Sequence, residues 1–94
     1  MLHLRQLQCA LAIDECGSFQ RAADFLGITP SGLTQSVQRL EEHYGGRLFV
    51  RSRTGVSLTS MGEIVLEGAR AILQRAESIE REIQLEHSHD QGEL

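Results

Sequence analysis

The sequence predicts a mainly α-helical fold in which three short helices and a two-stranded β-hairpin precede one long helix. Three observations predict it. Apolar residues recur every three or four positions in three segments, and glycines at 17, 27 and 45 close those segments. Between Leu48 and Thr59 the pattern changes to short runs of β-forming residues around Gly55. From Ser60 to Glu86 the chain carries no proline and returns to a helical apolar spacing.

The first helix, Leu2 to Cys16, sets Leu4, Leu7 and Leu11 on one face with Ala10 beside them. Ser18 is a good N-cap for a second, short helix whose inner residues are Phe19, Ala22, Ala23 and Leu26, and the paired alanines let a neighbouring helix come close. Gly27 supplies the left-handed residue that stops it, Ile28 is a buried turn residue, and Thr29-Pro30 reads as an N-cap followed by proline at the first helical position. A very short turn therefore joins two helices.

The third helix, Pro30 to Tyr44, separates into two faces at about 100° per residue. Leu33, Val37, Leu40 and Tyr44 form one stripe; Ser31, Gln35, Gln38 and Glu42 lie opposite, flanked by Thr34 and Arg39. Its first two turns are polar and uncharged on the outer face. The hairpin follows, and Thr59 or Ser60 caps the last helix, Ser60 and Glu63 having the spacing of a capping box. Along that helix Val65, Ala69, Ile72, Ala76, Ile79 and Ile83 alternate spacings of four and three, a heptad seam for two helices to share. Ile64, Leu66 and Leu73 widen the apolar surface, so that one face holds the domain while another meets a partner chain. Residues 87–94 read as a flexible polar tail.

A tight two-helix turn, a polar-faced helix after it and a hairpin bearing arginines describe a winged helix-turn-helix. The helix-turn-helix spans about residues 18–44 and the wing about 47–58, within a domain of residues 1–59 followed by a linker or dimerisation helix at 60–86. A helix entering a DNA major groove of ~12 Å width must present short polar groups to base edges while its back packs on the domain. Ser31, Thr34, Gln35 and Gln38 satisfy that requirement: glutamine makes a bidentate pair with adenine, and Ser or Thr bonds to either base pair. Arg51 and Arg53, alternate residues on one strand face flanking the hairpin tip, are placed to neutralise phosphates or enter a minor groove. Each feature alone is ordinary surface chemistry, since every surface helix has a polar face and exposed hairpins carry charge; their combination carries the reading. Among the remaining arginines, Arg21 and Arg47 are expected to pair with Asp24, Glu41 or Glu42.

With 94 residues the chain fits one small domain, and its nine basic and thirteen acidic side chains leave a formal charge of −4 and a pI near 5.5. DNA-gripping domains usually have a pI above roughly 9. The objection weakens when the charge is divided. Residues 17–60 hold five arginines and three acids, +2, whereas residues 61–94 hold three arginines and eight acids, −5, and residues 1–16 contribute −1. All nine basic residues are arginine, which suits planar hydrogen bonding.

No apolar run approaches the ~18 residues of a membrane span and no leader opens the chain, so a cytoplasmic protein is expected. Cys9 and Cys16, seven positions apart in one helix, stand about 10 Å apart, beyond the ~7 Å limit for a disulfide. They read as small apolar residues. His87 and His89 form only a weak metal signal, and no metal site is expected. No Gly-rich phosphate loop and no nucleophile with a base are present, and Glu77, Glu80, Glu82 and Glu86 look like a solvated helix face. No catalytic residues and no enzymatic activity are expected.

Several of these segments carry a resemblance. Leu4-Arg5-Gln6-Leu7, Gly17-Ser18-Phe19-Gln20-Arg21-Ala22-Ala23, Thr29-Pro30-Ser31-Gly32-Leu33-Thr34-Gln35-Ser36-Val37, Leu40-Glu41-Glu42, Leu48-Phe49-Val50-Arg51 and Leu58-Thr59 resemble the amino-terminal DNA-binding domain of LysR-type transcriptional regulators. The resemblance covers about residues 2–62. It implies sequence-specific binding of promoter DNA by dimers or tetramers, with a linker helix that pairs antiparallel with its counterpart. It also implies a small-molecule effector sensed in a carboxy-terminal domain absent from this chain, and no cofactor within it. The family's base-contacting positions fall on Pro30, Ser31, Thr34 and Gln35 and its wing arginines on Arg51 and Arg53; Gln38 and Arg39 match positions that touch bases or backbone.

Three departures stand out. Gln35 replaces a frequent arginine, which exchanges a guanine contact for an adenine preference. Ala10 replaces a usual aromatic and Gly46 a usual aliphatic, thinning the core between the first and third helices. Two readings compete with the resemblance: another winged-helix regulator family, and a winged-helix protein-interaction module that uses the long helix. That helix, about 27 residues at ~1.5 Å each, is a rod near 40 Å. The length is comparable with the ~34 Å between successive major-groove faces on one side of DNA, as antiparallel pairing of two reading heads would require.

Overall fold

A computed structural model describes residues 2–92, with side chains described as far as residue 89. The element order is α1 (Leu4–Cys16), α2 (Phe19–Leu26), α3 (Pro30–Tyr44), β1 (Phe49–Ser52), β2 (Gly55–Leu58) and α4 (Ser60–Gly92). The strands form an antiparallel hairpin in which Phe49 pairs with Leu58 and Ser52 with Gly55. The three helices, the hairpin and the long helix therefore follow the predicted order.

α1 is the centre of the fold, in contact with α2, α3 and α4 and with β2. Leu7, Ala10, Leu11, Ala12 and Ile13 are buried on it, against Ala22 and Ala23 of α2, Leu33, Val37 and Leu40 of α3, and Leu66 and Ala69 of α4. Both α2 alanines are fully buried, which is the close helix approach their size permits. Leu4 is exposed, because the first turn of α1 precedes the part of the helix that the core covers. Tyr44 also lies outside the buried stripe, edge-on to His43 at the rim. Ile28 is half-buried. Met61 of α4 packs against Gly46, its Sδ and Cε 2.9 Å from where a Cβ would fall, so the thinned position is filled from α4.

Thr59 caps α4: its Oγ1 accepts from the Gly62 N–H at 3.0 Å and donates to the Arg47 carbonyl at 2.6 Å. The Ser60–Glu63 capping box is therefore replaced by a cap one residue earlier, which also ties the helix start to the entry of the wing. Gly62 presses against that same segment, and a Cβ there would overlap the Leu48 carbonyl oxygen. The Leu48 N–H donates to Glu41 Oε2 at 2.7 Å, and Arg47 pairs with Glu41 at 3.4 Å. α3, wing and α4 thus meet at one knot of polar contacts.

α4 runs to Gly92, past the helix end expected at Glu86 and through residues expected as a flexible tail. Residues 93 and 94 of that tail lie outside the described residues. Leu73 is the last α4 residue packed on the core. Beyond it the helix projects, giving overall dimensions of 59 × 25 × 23 Å. Val65 and Ala69, placed on the inter-chain seam by spacing, are buried in the core of their own chain, because α1 lies across the first turns of α4. Ile72, Ile79 and Ile83 are exposed and Ala76 half-buried. Both cysteines are free thiols, Cys9 buried and Cys16 half-buried. No helix among the described residues is long and apolar enough to cross a membrane.

Candidate nucleic-acid interface

The α2–turn–α3 unit is built by four local devices. Ser18 Oγ accepts from the Arg21 N–H and Thr29 Oγ1 from the Gly32 N–H, each at 3.0 Å, satisfying amides that have no partner within their helices. Gly27 takes φ +70°, a left-handed conformation costly for other residues, and its N–H bonds back to the Ala23 and Asp24 carbonyls. Pro30 then starts α3 with its φ already suited to a helix.

These devices present the outer face of α3. Pro30, Ser31, Gln35, Gln38 and Arg39 are exposed and Thr34 is half-buried. Among the described residues, the side chains of Ser31, Thr34, Gln35, Gln38 and Arg39 have no hydrogen bond or ion pair, so their donors and acceptors face solvent unpaired. One groove beside this face is lined by Pro30, Ser31, Thr34, Gln35, Phe19, Gln20 and Arg51. On the other side Gln35 and Arg39 border His3, Arg5 and Gln6 at the start of α1. Arg5 therefore joins the edge of the surface, a placement that helical spacing within α1 does not reveal.

The two wing arginines do not share an environment. β1 ends at Ser52, so Arg53 lies with Thr54 in the exposed turn and not on the strand face. Arg51 remains on β1, with its guanidinium carbon 3.5 Å from the centre of the Phe19 ring. A cation held over an aromatic face at an exposed site gains about 0.5–1 kcal/mol. Phe49 meets the same ring edge-on, with centroids 5.9 Å apart and planes at 76°. Arg47 pairs with Glu41 as expected, whereas Asp24 accepts from Gln20 and not from Arg21.

Residues 4–63 match the model of the bacterial regulatory helix-turn-helix protein, lysR family. The chain belongs to that family. It is 36% identical over 93 residues to the HTH-type transcriptional regulator TfdT of Cupriavidus pinatubonensis, an alignment covering 99% of this chain and 41% of TfdT. Among solved structures, the complex of the CbnR DNA-binding domain with DNA superposes with a TM-score of 0.81 at 33% identity, over 89% of this chain and 97% of that one. The BenM DNA-binding domain bound to catB site 1 DNA gives 0.83 at 30% identity, over 88% and 93%. The chain thus spans about two fifths of the length of TfdT, and it is a LysR-type helix-turn-helix DNA-binding domain with a winged-helix fold.

Within this LysR-type domain the structure gathers Pro30, Ser31, Thr34, Gln35 and Arg51 around one groove. Gln38 borders a second groove with Thr34 and Arg51, and Arg39 lies on the α1 side. Phe19 was legible only as a core residue. The signal for its second contact is the alternation Phe49-Val50-Arg51, which puts an aromatic and a cation on the same strand face. The Arg70–Asp14 ion pair at 2.6 Å, which ties α4 to α1, joins residues 56 positions apart and has no local signature.

Proposed function

We propose that this domain binds promoter DNA sequence-specifically as a homodimer, within a cytoplasmic, non-enzymatic regulator whose full-length form assembles as a dimer or tetramer. In this reading α3 enters the major groove and the wing lies on the adjacent minor groove and backbone. The observation that carries it is the unpaired polar face of α3 beside Arg51. Ser31, Thr34, Gln35 and Gln38 read base edges, with Gln35 favouring adenine. Pro30 meets the bases at the helix start, and Arg39, Arg51 and Arg53 contact phosphates or the minor-groove edge. The DNA complexes of the CbnR and BenM domains support this placement.

The dimer forms through α4. Ile72, Ala76, Ile79 and Ile83 continue the heptad spacing along α4, and an apolar groove beside it is lined by Leu7, Tyr44, Met61, Ile64, Val65, Gly68, Ala69 and Ile72. Antiparallel pairing with a second α4 covers both, with the largely buried Val65 and Ala69 at the floor of the groove. A small-molecule effector acts on a part of the protein outside these residues, since TfdT and other relatives are more than twice as long.

Selection of bound duplexes from a random library, followed by titration of the enriched duplex against a scrambled one, tests the reading. A partly palindromic, AT-leaning site bound more tightly than its scramble is expected. Equal affinity for both, or for neither, overturns it.

A further inference from the structure

We infer that Phe19 is a positioning residue for DNA binding, its ring being the platform that holds the Arg51 guanidinium beside α3 before DNA arrives. The inference rests on the reading of α3 and Arg51 as a DNA-contacting surface. An exposed arginine samples many rotamers, and ordering it on binding opposes association. Here the side chain is already stacked, 3.5 Å from the ring centre.

The stack leaves the donors usable. Guanidinium N–H groups point outward in the plane of the group, so a ring against its face occupies none of them. Among the described residues Arg51 has no ion pair. Two acids, Glu41 and Glu42, line the same groove. Glu41 is already engaged by the Leu48 N–H at 2.7 Å and by Arg47 at 3.4 Å, and neither acid forms an ion pair with Arg51.

The platform is itself fixed. Phe19 follows the N-cap Ser18 directly and is met edge-on by Phe49, which lies two positions before Arg51 on β1. One ring of α2 therefore contacts both Phe49 and Arg51, which share one face of the wing strand. Phe19, Thr34 and Arg51 line both grooves beside the outer face of α3. A contact made by Arg51 thereby acquires a fixed offset from the bases that Thr34 and Gln35 reach.

A double-mutant cycle on the selected duplex tests this, using Phe19→Leu, Arg51→Ala and the pair. Phe19→Leu keeps an apolar side chain against Phe49 and is expected to weaken binding about two- to fivefold, the size of one exposed cation–π contact. It is expected to have no further effect once Arg51 is alanine. Phe19→Tyr restores affinity. Arg51→Lys, a surface change that leaves folding intact, keeps the charge but loses the planar stack, and is expected to weaken binding and to respond less to Phe19→Leu than the wild type does. In the free protein the Arg51 δ protons are expected at a ring-shifted NMR position that Phe19→Leu abolishes. Wild-type affinity or tighter binding in Phe19→Leu, an equal loss in the Arg51→Ala background, or wild-type affinity in Arg51→Lys overturns the inference and leaves the DNA-binding reading standing. Failure of the wild-type domain to bind any duplex overturns both.

Discussion

Arg51 and Arg53, two positions apart, meet unlike surroundings: one lies over an aromatic ring on α2, the other stands in the solvent-exposed turn of the hairpin. A base reader and a phosphate contact fail differently when removed. Gln35→Ala is expected to erase about 1–3 kcal/mol of discrimination at one base position and to leave the salt dependence unchanged. Arg53→Ala, which removes one contact from each protomer of the proposed dimer, is expected to weaken all operator variants alike and to lower the salt slope by about two. Titrations against a panel of single-base variants at two salt concentrations separate the two. Unchanged discrimination in Gln35→Ala removes it from the list of base readers. Gly62 shows a residue-scale constraint of another kind. A Cβ there meets a backbone carbonyl rather than a flexible side chain, so Gly62→Ala is expected to cost about 1–3 kcal/mol. Thermal melting reads that as a midpoint lowered by roughly 4–8 °C per kcal/mol. A variant melting with the wild type would mean that the α4–wing contact yields easily.

At the scale of the element, α4 is two helices in one. Its first turns belong to the domain core through Val65, Leu66 and Ala69, and Arg70 pairs with Asp14 of α1. Past Leu73 its stabilising contacts are its own, including Arg81 with Glu77 and Arg75 with Glu82 on exposed faces, pairs worth little in water. A long helix with an isoleucine stripe and no core to cover it needs a second surface. Ile79→Asp is therefore expected to give monomers in sedimentation while the thermal unfolding of the domain survives, because Ile79 lies outside the core. A sedimentation mass unchanged by that substitution refutes the seam. A collapsed melt would instead show that the projecting half supports the monomer.

For the whole molecule, the net charge of −4 conceals a division. The acids concentrate on α4, whereas the proposed reading face carries Arg39, Arg51 and Arg53 with uncharged polar groups between them. In the proposed dimer, three such arginines in each of two heads would give about six phosphate contacts. At about −0.9 per phosphate the logarithm of affinity is expected to fall with a slope near −5 against the logarithm of salt concentration. A slope near zero would mean that these arginines do not reach phosphates. Affinity for random duplex should be modest, because the rest of the chain is net negative.

The helices, their order and the outer face of α3 were readable from spacing, since amphipathic periodicity and capping residues act over three or four positions and leave local marks. The Thr29-Pro30 start, the Gly27 stop and the polar run from Ser31 to Gln38 are of that kind. What the chain order could not disclose is how two surfaces compete for one side chain. Val65 and Ala69 fit an inter-chain seam as well as a core, and only the lie of α1 across α4 assigns them to the core. Arg51 and Arg53 look equivalent as neighbours, and only the docking of α2 against β1 puts a ring beneath one of them. Met61 filling the space beside Gly46 and Glu41 held by the Leu48 amide are likewise contacts between distant segments. Such contacts are settled when all the elements pack at once, because burial and pairing depend on every neighbour of a side chain and not on its position in the chain.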